Sequence, residues 1–335
     1  MNMKLWLEEI KKSAVKKPFP ILSFPSVSLM GVSVRELTSD SDLQAKGMKL
    51  IADRCDTLAS VSMMDLSVEA EAFGADVRFS DDEVPTVVGA LVTDPDEADE
   101  LAVPDVAAGR CSQYVQAVAK AKELITDRPV FAGVIGPFSL AGRLMDVSEA
   151  MVNCYVEPDM VHTVLEKSTE FLIKYILEYK KNGANGVVMA EPLAGMLSPA
   201  LAEEFSEPYV KKIADAIQDD EFILVYHNCG DNVGLMAESI LRTGSAAYHF
   251  GNAVKMKDML EKMPRDTVVM GNVDPAGQIK NGTPDSVKAA TKQIMAECCE
   301  YENFVISSGC DIPHESPWEN IDAFFCAVNE FYKEK

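Results

Sequence analysis

The sequence lacks any uninterrupted apolar run of about 18 residues, the length that a membrane-spanning helix needs. Residues 1–17 alternate charged and apolar side chains, so they also lack the continuous apolar core of a secretion signal. Basic residues are scarce, since 31 Lys and Arg face 53 Asp and Glu for a net charge of −22. Because this charge repels a phosphate backbone, we expect no nucleic-acid partner. The missing apolar runs predict a cytoplasmic protein without a membrane partner.

The chain has enough apolar material for one large core. It contains 335 residues, of which 47% are hydrophobic and 25% are charged. That length is large for an ordinary domain but normal for an α/β barrel. Eight cysteines are present. In a long cytosolic chain they are not expected to form a disulfide framework, so most should be buried small side chains and a few are candidates for metal ligands.

Short apolar runs recur along the chain, separated by stretches with helical periodicity. The predicted strands are residues 21–24, 58–62, 130–135, 186–190, 222–226, 246–250, 268–272 and 304–307. Most of these runs are continuously apolar, which is typical of parallel strands buried on both faces. Helix starts are indicated by Ser198 and Thr283, each followed by proline, and by a capping box of Ser316 and Glu319.

Eight strands alternating with helices predict the α/β class, as a single (β/α)8 TIM barrel over residues 1–335. Residues 1–20 are predicted to form an N-terminal helical extension. Residues 72–125 are too long for one connection between a strand and a helix. We expect them to make an excursion near the mouth of the barrel.

The chemistry is predicted at two strand ends. His227 and Cys229 follow the fifth apolar run, and side chains two apart on an extended chain point the same way. Cys310 follows the eighth run, and the carboxyl ends of all barrel strands open on one face. One imidazole and two thiolates suit Zn²⁺, and three protein ligands leave a fourth position open for substrate. Such a site suits alkyl transfer to sulfur.

At these residues the chain resembles the uroporphyrinogen decarboxylase superfamily, and within it the cobalamin-dependent methyltransferases such as methylcobamide:coenzyme M methyltransferases. The resemblance covers nearly the whole chain and is carried by residues 64–75, 136–138, 191–192 with 198–199, 227–230, 271–275 and 308–313. It implies that His227, Cys229 and Cys310 are zinc ligands and that a small thiol binds the zinc as thiolate. It also implies a separate corrinoid protein that presents methylcobalamin, whose methyl group the thiolate attacks.

Other candidates follow from their places at predicted strand ends. Glu191 and His249 are the catalytic candidates, the first as an occupant of the open zinc position and the second as a fourth ligand, a group behind a ligand or a proton relay. The alternative for Glu191 is a structural cap of a barrel loop, and the alternative for His249 is a buried core histidine. The substrate-binding candidates are Asp65, Glu69, Arg143, Asn228 and Asn272. Arg143 is a candidate partner for an anionic group on the thiol.

Two other functions stay open from the sequence. One is a metal-free lyase of the uroporphyrinogen decarboxylase type. Against it, residues 24–31 contain no arginine for a substrate with many carboxylates, and the first arginine is Arg35. The other is a non-catalytic module that binds a corrinoid protein. The acceptor (coenzyme M, tetrahydrofolate, homocysteine or another), the upstream methyl donor and the oligomeric state are not fixed by the sequence.

Overall fold

The computed structural model describes residues 1–334 and contains nine strands in that range. They are β1 (Ser60–Val61), β2 (Val77–Arg78), β3 (Thr86–Val87), β4 (Val130–Ile135), β5 (Gly186–Ala190), β6 (Ile223–Asn228), β7 (Ala247–Phe250), β8 (Val268–Val273) and β9 (Phe304–Ser308). Strands β1 and β4 to β9 form one curled parallel sheet in chain order. Strands β2 and β3 form a separate antiparallel hairpin.

Helices connect the sheet strands and surround them. They are α1 (Met3–Lys12), α2 (Ser26–Met30), α3 (Val34–Ser39), α4 (Ser41–Arg54), α5 (Val68–Phe73), α6 (Pro95–Glu100), α7 (Cys111–Leu124), α8 (Pro137–Met145), α9 (Val147–Val156), α10 (Pro158–Lys181), α11 (Pro199–Phe205), α12 (Glu207–Ile217), α13 (Ala237–Arg242), α14 (Met256–Lys262), α15 (Pro284–Cys298) and α16 (Trp318–Lys333). The predicted α/β barrel is confirmed. Among residues 1–334, no helix combines the length and apolar composition that crossing a bilayer requires.

The eighth position of the barrel is occupied by an extended segment rather than by a regular strand. The Phe19 N–H donates to the Ile306 carbonyl on β9 over 3.0 Å, and the Leu58 N–H, just before β1, donates to the Pro18 carbonyl over 2.8 Å. The predicted strand at residues 21–24 is therefore wrong, since the chain closes the ring a few residues earlier. Pro18 and Pro20 lack the N–H groups that a regular ladder requires, so this closure stays irregular.

Helix α1 seals the end of the barrel opposite the carboxyl ends of the strands. Its buried side chains are Met3, Trp6, Leu7 and Ile10, a spacing that puts them on one helical face. These side chains belong to the same apolar cluster as the inward-facing strand residues, among them Val188, Val225 and Val305. The helix covers only part of the predicted extension at residues 1–20, and the rest leads into the closing segment.

The predicted excursion at residues 72–125 contains several elements. The β2–β3 hairpin and α6 project from the sheet, and α7 follows as a barrel helix that packs on α4 and β4. Of the predicted helix starts, Ser198 caps α11 and Thr283 caps α15 in a capping box with Ser286. The capping box at Ser316 is wrong, since α16 begins at Trp318 without a side-chain cap.

Candidate metal centre

The ends of β6 and β9 bring the three predicted ligands together. His227 lies on β6 and is 1% exposed, and Cys229 follows directly after that strand. Cys310 lies two residues beyond the end of β9. One ligand atom from each of the three side chains lies within 4.8 Å of the others, and the two sulfur atoms are 4.0 Å apart. Among residues 1–334 this is the one group of three or more His, Cys, Asp or Glu side chains close enough to share an ion.

Glycines allow the loops at this mouth to pack closely. A Cβ atom at Gly251, just after β7, would lie 2.4 Å from the Cβ of Cys229. A Cβ atom at Gly309 would lie 2.7 Å from the Oδ1 of Asn252. Neither distance is tolerated by real side chains, so the loops after β6, β7 and β9 can meet only because these positions lack a side chain. Their contact places Cys229 next to Cys310.

The donor set fits a borderline-soft metal ion. The Nε2 atom of His227 is buried and has no hydrogen-bond partner within residues 1–334. A buried ring nitrogen without a partner is costly unless it binds something, and an ion is the fitting ligand for its lone pair. The Cys310 thiol donates to the Cys229 sulfur, which lowers the pKa of Cys229 and raises that of Cys310 to about 12. One nitrogen and two sulfurs match the ligand preference of Zn²⁺.

His249 lies on the neighbouring strand and contacts the metal-site histidine. It pairs in register with His227, and the two Nδ1 atoms are 2.8 Å apart. Its Nε2 lies 2.7 Å from the Oγ of Ser307. Burial, followed by the neighbouring His227, lowers the pKa of His249 well below its ordinary value, so the ring is neutral. The structure therefore places His249 behind His227.

Ser307 is a site residue that the sequence interpretation missed. Its hydroxyl is fully buried, lies against His249 and donates to the carbonyl of Phe19 over 2.6 Å. A polar side chain near the end of an otherwise apolar strand was the available signal. Ser308 beside it is equally buried, so that signal alone does not separate the two positions.

Glu191 is fully buried at the end of β5 and engages the start of α8. Its carboxylate accepts from the backbone N–H groups of Phe138 (2.7 Å) and Ser139 (2.9 Å), and from the Ser139 hydroxyl. Burial raises its pKa to about 7 despite these bonds. A carboxyl group at a helix N-terminus is stabilised by the backbone N–H groups there, so both oxygens of Glu191 hold the first turn of α8 in place.

Asp65 belongs to a buried network rather than to the thiol group. Its Oδ2 accepts from Arg110 (2.5 Å) and from the Tyr114 hydroxyl (2.6 Å), and its Oδ1 accepts from the Ser67 backbone and hydroxyl. Glu69, one turn further on, accepts from the Ile135 N–H through Oε1. Arg110 and Tyr114 were not anticipated from the sequence, which carries no local signal for a pairing 45 residues away.

Glu69, next to this network, has one carboxylate oxygen without a hydrogen-bond partner. The Oε2 of Glu69 is buried and forms no hydrogen bond within residues 1–334. Burial raises the pKa of Glu69 to about 7. Its carboxyl group is therefore largely protonated at mildly acidic pH in the folded protein.

The two asparagine candidates organise loops around the ligands. Asn228 accepts from the Gly230 N–H through Oδ1 and donates to the Tyr226 hydroxyl, which shapes the turn that carries Cys229. Asn272 donates through its amide to the carbonyls of Gly251 and Val254, both at 2.8 Å. Both side-chain amide nitrogens therefore donate hydrogen bonds to other groups of the protein.

Arg143 lines a cavity of about 220 Å³ between α8, the β2–β3 hairpin and the segment after β1. It is half-buried, and its guanidinium has no ion-pair or hydrogen-bond partner among residues 1–334. Burial lowers its pKa from the ordinary value. Met64 lines the same cavity. It also belongs to the interior apolar cluster with Val225, which lies on β6, the strand that carries His227.

The uroporphyrinogen decarboxylase (URO-D) family matches residues 26–331, and the chain therefore belongs to that family. The chain is 28% identical over 273 residues to the methylcobamide:CoM methyltransferase MtbA of Methanosarcina mazei, covering 80% of this chain and 78% of that protein. It is 24% identical over 315 residues to the uroporphyrinogen decarboxylase of Neisseria meningitidis, covering 90% and 86%.

Solved structures agree on the fold. A methyltransferase from Methanosarcina mazei superposes with a TM-score of 0.87 at 23% identity, covering 99% of both chains. A B12-independent methionine synthase from Shewanella superposes with a TM-score of 0.61 at 12% identity, covering 96% of both chains. At these identities the likeness establishes the barrel and nothing about its chemistry.

Proposed function

We propose that this member of the URO-D family is a methyltransferase that moves a methyl group from a methylated corrinoid, carried by a partner protein, to the sulfur of a small thiol. His227, Cys229 and Cys310 would hold the zinc ion that this reaction uses. The observation that carries the proposal is their convergence, with the Nε2 lone pair of His227 buried and unpaired beside two thiols.

The family alone does not select this activity, because its relatives include both methyltransferases and decarboxylases. One relative is described as a methylcobamide:CoM methyltransferase, and another, 24% identical over 296 residues, as a methylated-thiol–coenzyme M methyltransferase. The donor set favours the methyltransferases, since two thiols and an imidazole form a metal site. A decarboxylase for a substrate with many carboxylates needs cationic partners, and residues 24–31 offer none.

A bound zinc ion would favour the thiolate form of the acceptor and hold its sulfur in a fixed position. The balance of the transfer is simple. A sulfur–carbon bond forms, the cobalt–carbon bond of the corrinoid breaks with its electron pair left on cobalt, and the thiol proton is released. The chain itself has to bind and orient the acceptor and to leave it accessible to a large partner protein. The carboxyl ends of the strands, where the proposed ligands lie, form the open mouth of the barrel and suit this task.

The surrounding residues fix this arrangement. Asn228 shapes the turn that carries Cys229, and Asn272 holds the loop after β7 that packs against it. Glu191 fixes the start of α8, the helix that carries Arg143. We assign Arg143 to the anionic end of the acceptor, because an unpaired, half-buried guanidinium is suited to bind a sulfonate or carboxylate.

Metal analysis tests the ligand assignment directly. The purified chain should contain one zinc per chain by mass spectrometry, and Cys310→Ser should lose it. Cys299→Ser is the matched control, since Cys299 is also a partly exposed free cysteine but lies outside the ligand group. A chain without zinc, or equal zinc in Cys310→Ser and in the wild type, would reject the proposed centre.

The reaction is tested by following the absorbance of methylcobalamin while candidate acceptors are added. We expect demethylation with an anionic thiol such as coenzyme M, and none with the Cys310→Ser variant. Homocysteine and tetrahydrofolate are the comparison acceptors. Binding of a methylated corrinoid protein without demethylation by any acceptor would instead identify a binding module, and release of CO₂ from uroporphyrinogen would identify a decarboxylase.

A further inference from the structure

We propose that the segment closing the barrel sets which ring nitrogen of His227 is free to bind metal, through a buried relay from the Phe19 carbonyl to Ser307, His249 and His227. The inference rests on the proposed metal centre, and it assigns Ser307 and His249 as positioning residues. The relay is four groups long, and its successive contacts are 2.6, 2.7 and 2.8 Å. All of its side chains are at most 1% exposed, so water does not compete for these bonds.

The direction of the relay follows from its first member. A carbonyl oxygen can only accept, so the proton between Phe19 and Ser307 must come from the Ser307 hydroxyl. The Ser307 oxygen is then left to accept from the Nε2–H of His249. A neutral histidine carries one proton, so the Nδ1 of His249 is an acceptor and requires an N–H on the Nδ1 of His227.

The last step fixes the chemistry of the ligand. The tautomer of His227 that carries its proton on Nδ1 has its lone pair on Nε2. That is the atom which lies buried without a partner in the group with Cys229 and Cys310. Metal-binding histidines are commonly held in the correct tautomer by a hydrogen bond to the other nitrogen. Here that bond is traced through two further side chains to the backbone of the N-terminal segment.

The anchor itself is firmly held. The Phe19 N–H donates to the Ile306 carbonyl, and the Ile21 N–H donates to the Ser308 hydroxyl over 3.0 Å. Two adjacent serines of β9 therefore bind the same segment, but only Ser307 also contacts His249 through its side chain, whereas Ser308 meets His249 through its backbone. Ser308 makes the matched control, because its loss removes a bond between the same two elements and leaves the relay intact.

Nitrogen NMR of the zinc-free protein reads the tautomer without any activity assay. Only four histidines are present, so selective ¹⁵N-histidine labelling gives a tractable spectrum. In the wild type and in Ser308→Ala we expect the Nε2 of His227 to give a pyridine-type signal and its Nδ1 to give a pyrrole-type signal. In Ser307→Ala, His249 loses the hydroxyl acceptor and keeps the Ser308 backbone as its other partner on β9, so the His227 signals should shift from one tautomer toward a mixture of both.

Zinc affinity, measured by competition with a chelator, is the second readout. Removing a partner behind a metal ligand weakens metal binding about 10- to 100-fold, and we expect this loss in Ser307→Ala. We expect Ser308→Ala to stay within about threefold of the wild type. At position 249, His249→Gln keeps one acceptor and one donor, so it should bind zinc more tightly than the apolar His249→Leu.

The outcomes separate this inference from the proposed function. A wild-type protein that binds no zinc overturns the metal centre. A wild-type protein that binds zinc but carries the proton of His227 on Nε2 in the zinc-free state overturns the relay alone. Equal weakening in Ser307→Ala and Ser308→Ala also overturns it, since barrel closure and not the relay would then matter. If Ser307→Ala does not fold, the same conclusion is drawn from the two variants at position 249, whose equality would contradict the relay.

Discussion

Two buried polar groups lie at the carboxyl ends of the strands, and they differ in how completely they are paired. The carboxylate cluster (Asp65, Ser67, Arg110 and Tyr114) uses both oxygens of Asp65, with four hydrogen bonds between them. The thiol cluster (His227, Cys229 and Cys310) leaves the Nε2 of His227 without a partner. The carboxylate cluster satisfies its own polar atoms and therefore serves stability, whereas the thiol cluster has a buried nitrogen that the proposed metal ion would satisfy.

The largest effect should follow from breaking the carboxylate cluster. Arg110→Met leaves Asp65 buried without its cation, and loss of one partner of a buried ion pair costs about 3–5 kcal/mol of unfolding free energy. Urea unfolding, with and without zinc, measures it, and the loss should be the same in both conditions. The double variant Asp65→Asn with Arg110→Met should recover part of the loss.

The exposed pair of Arg54 and Asp322 provides the control for that prediction. Its side chains are 40% and 50% exposed, so Arg54→Met should change stability little. A loss in Arg54→Met as large as that in Arg110→Met would show that burial of the ion pair is not the cause. A zinc-dependent loss in Arg110→Met would show that the two clusters are coupled.

Metal removal should have the next largest effect, and only through the thiol cluster. Free zinc at about 100 times its dissociation constant stabilises a protein that binds it only when folded by about 2.7 kcal/mol. We expect a chelator to remove this stability from the wild type and from Cys299→Ser, but not from Cys310→Ser. Thermal unfolding monitored by circular dichroism measures it. A chelator effect that survives in Cys310→Ser would place the ion elsewhere.

Part of the pH dependence of stability should come from Glu69, beside the carboxylate cluster, and Glu191, whose pKa is also raised to about 7, should contribute in the same direction. The pKa of Glu69 is raised by burial to about 7 in the folded protein, above the value of 4.5 for an unperturbed glutamate. The folded state thus binds the proton more tightly, and the stability it gains is full below pH 4.5 and is lost as the pH rises through about 7.

Glu69→Gln isolates that loss, since the amide keeps the shape and carries no charge at any pH. Between pH 4.5 and 7, the wild type should lose stability relative to the variant by on the order of 2 kcal/mol. Urea unfolding across this range measures the difference. Parallel curves for the two proteins would contradict the raised pKa.

The smallest effect should follow from Arg143. With Arg143→Gln we expect the KM for an anionic thiol to rise about tenfold, which corresponds to about 1.4 kcal/mol, and kcat to change little. A neutral thiol of similar size should show no change. Arg78→Gln, on the exposed strand β2, is the matched control. A rise in KM for the neutral thiol as well would assign Arg143 to the structure of the cavity.

Much of the barrel was predictable because its strands are buried on both faces. Continuous apolar runs predicted β4 and β5 residue for residue. The closing segment was misplaced because Pro18 and Pro20 remove the ladder bonds by which a strand is defined. The start of α16 was misplaced, since the helix begins at Trp318 and not directly after Ser316, and its first residue makes a tertiary contact, in which the Trp318 indole donates to Ser28. No local pattern contains such a contact.

The candidate site was predictable only as far as strand periodicity reaches. Two-residue spacing aligned His227 with Cys229, and the common face of parallel strands brought in Cys310. The partners behind these ligands depend on register between strands, as with His227 and His249, or on loops distant in sequence, as with Asp65 and Arg110. That Asn228 and Asn272 touch substrate stays a prediction. In the structure the Asn228 amide donates to the Tyr226 hydroxyl on its own strand, and the Asn272 amide donates to the loop after β7.

The ring closes through residues from opposite ends of the polypeptide. Phe19 has left the ribosome long before Ile306 and Ser307 are synthesised, so their pairing is a late, long-range step of folding. Any fragment that ends before β9 lacks both Cys310 and the acceptor for His249. Competence to bind the proposed zinc ion would thereby be reserved for chains synthesised past Cys310, and shorter products of translation would not sequester zinc at this centre.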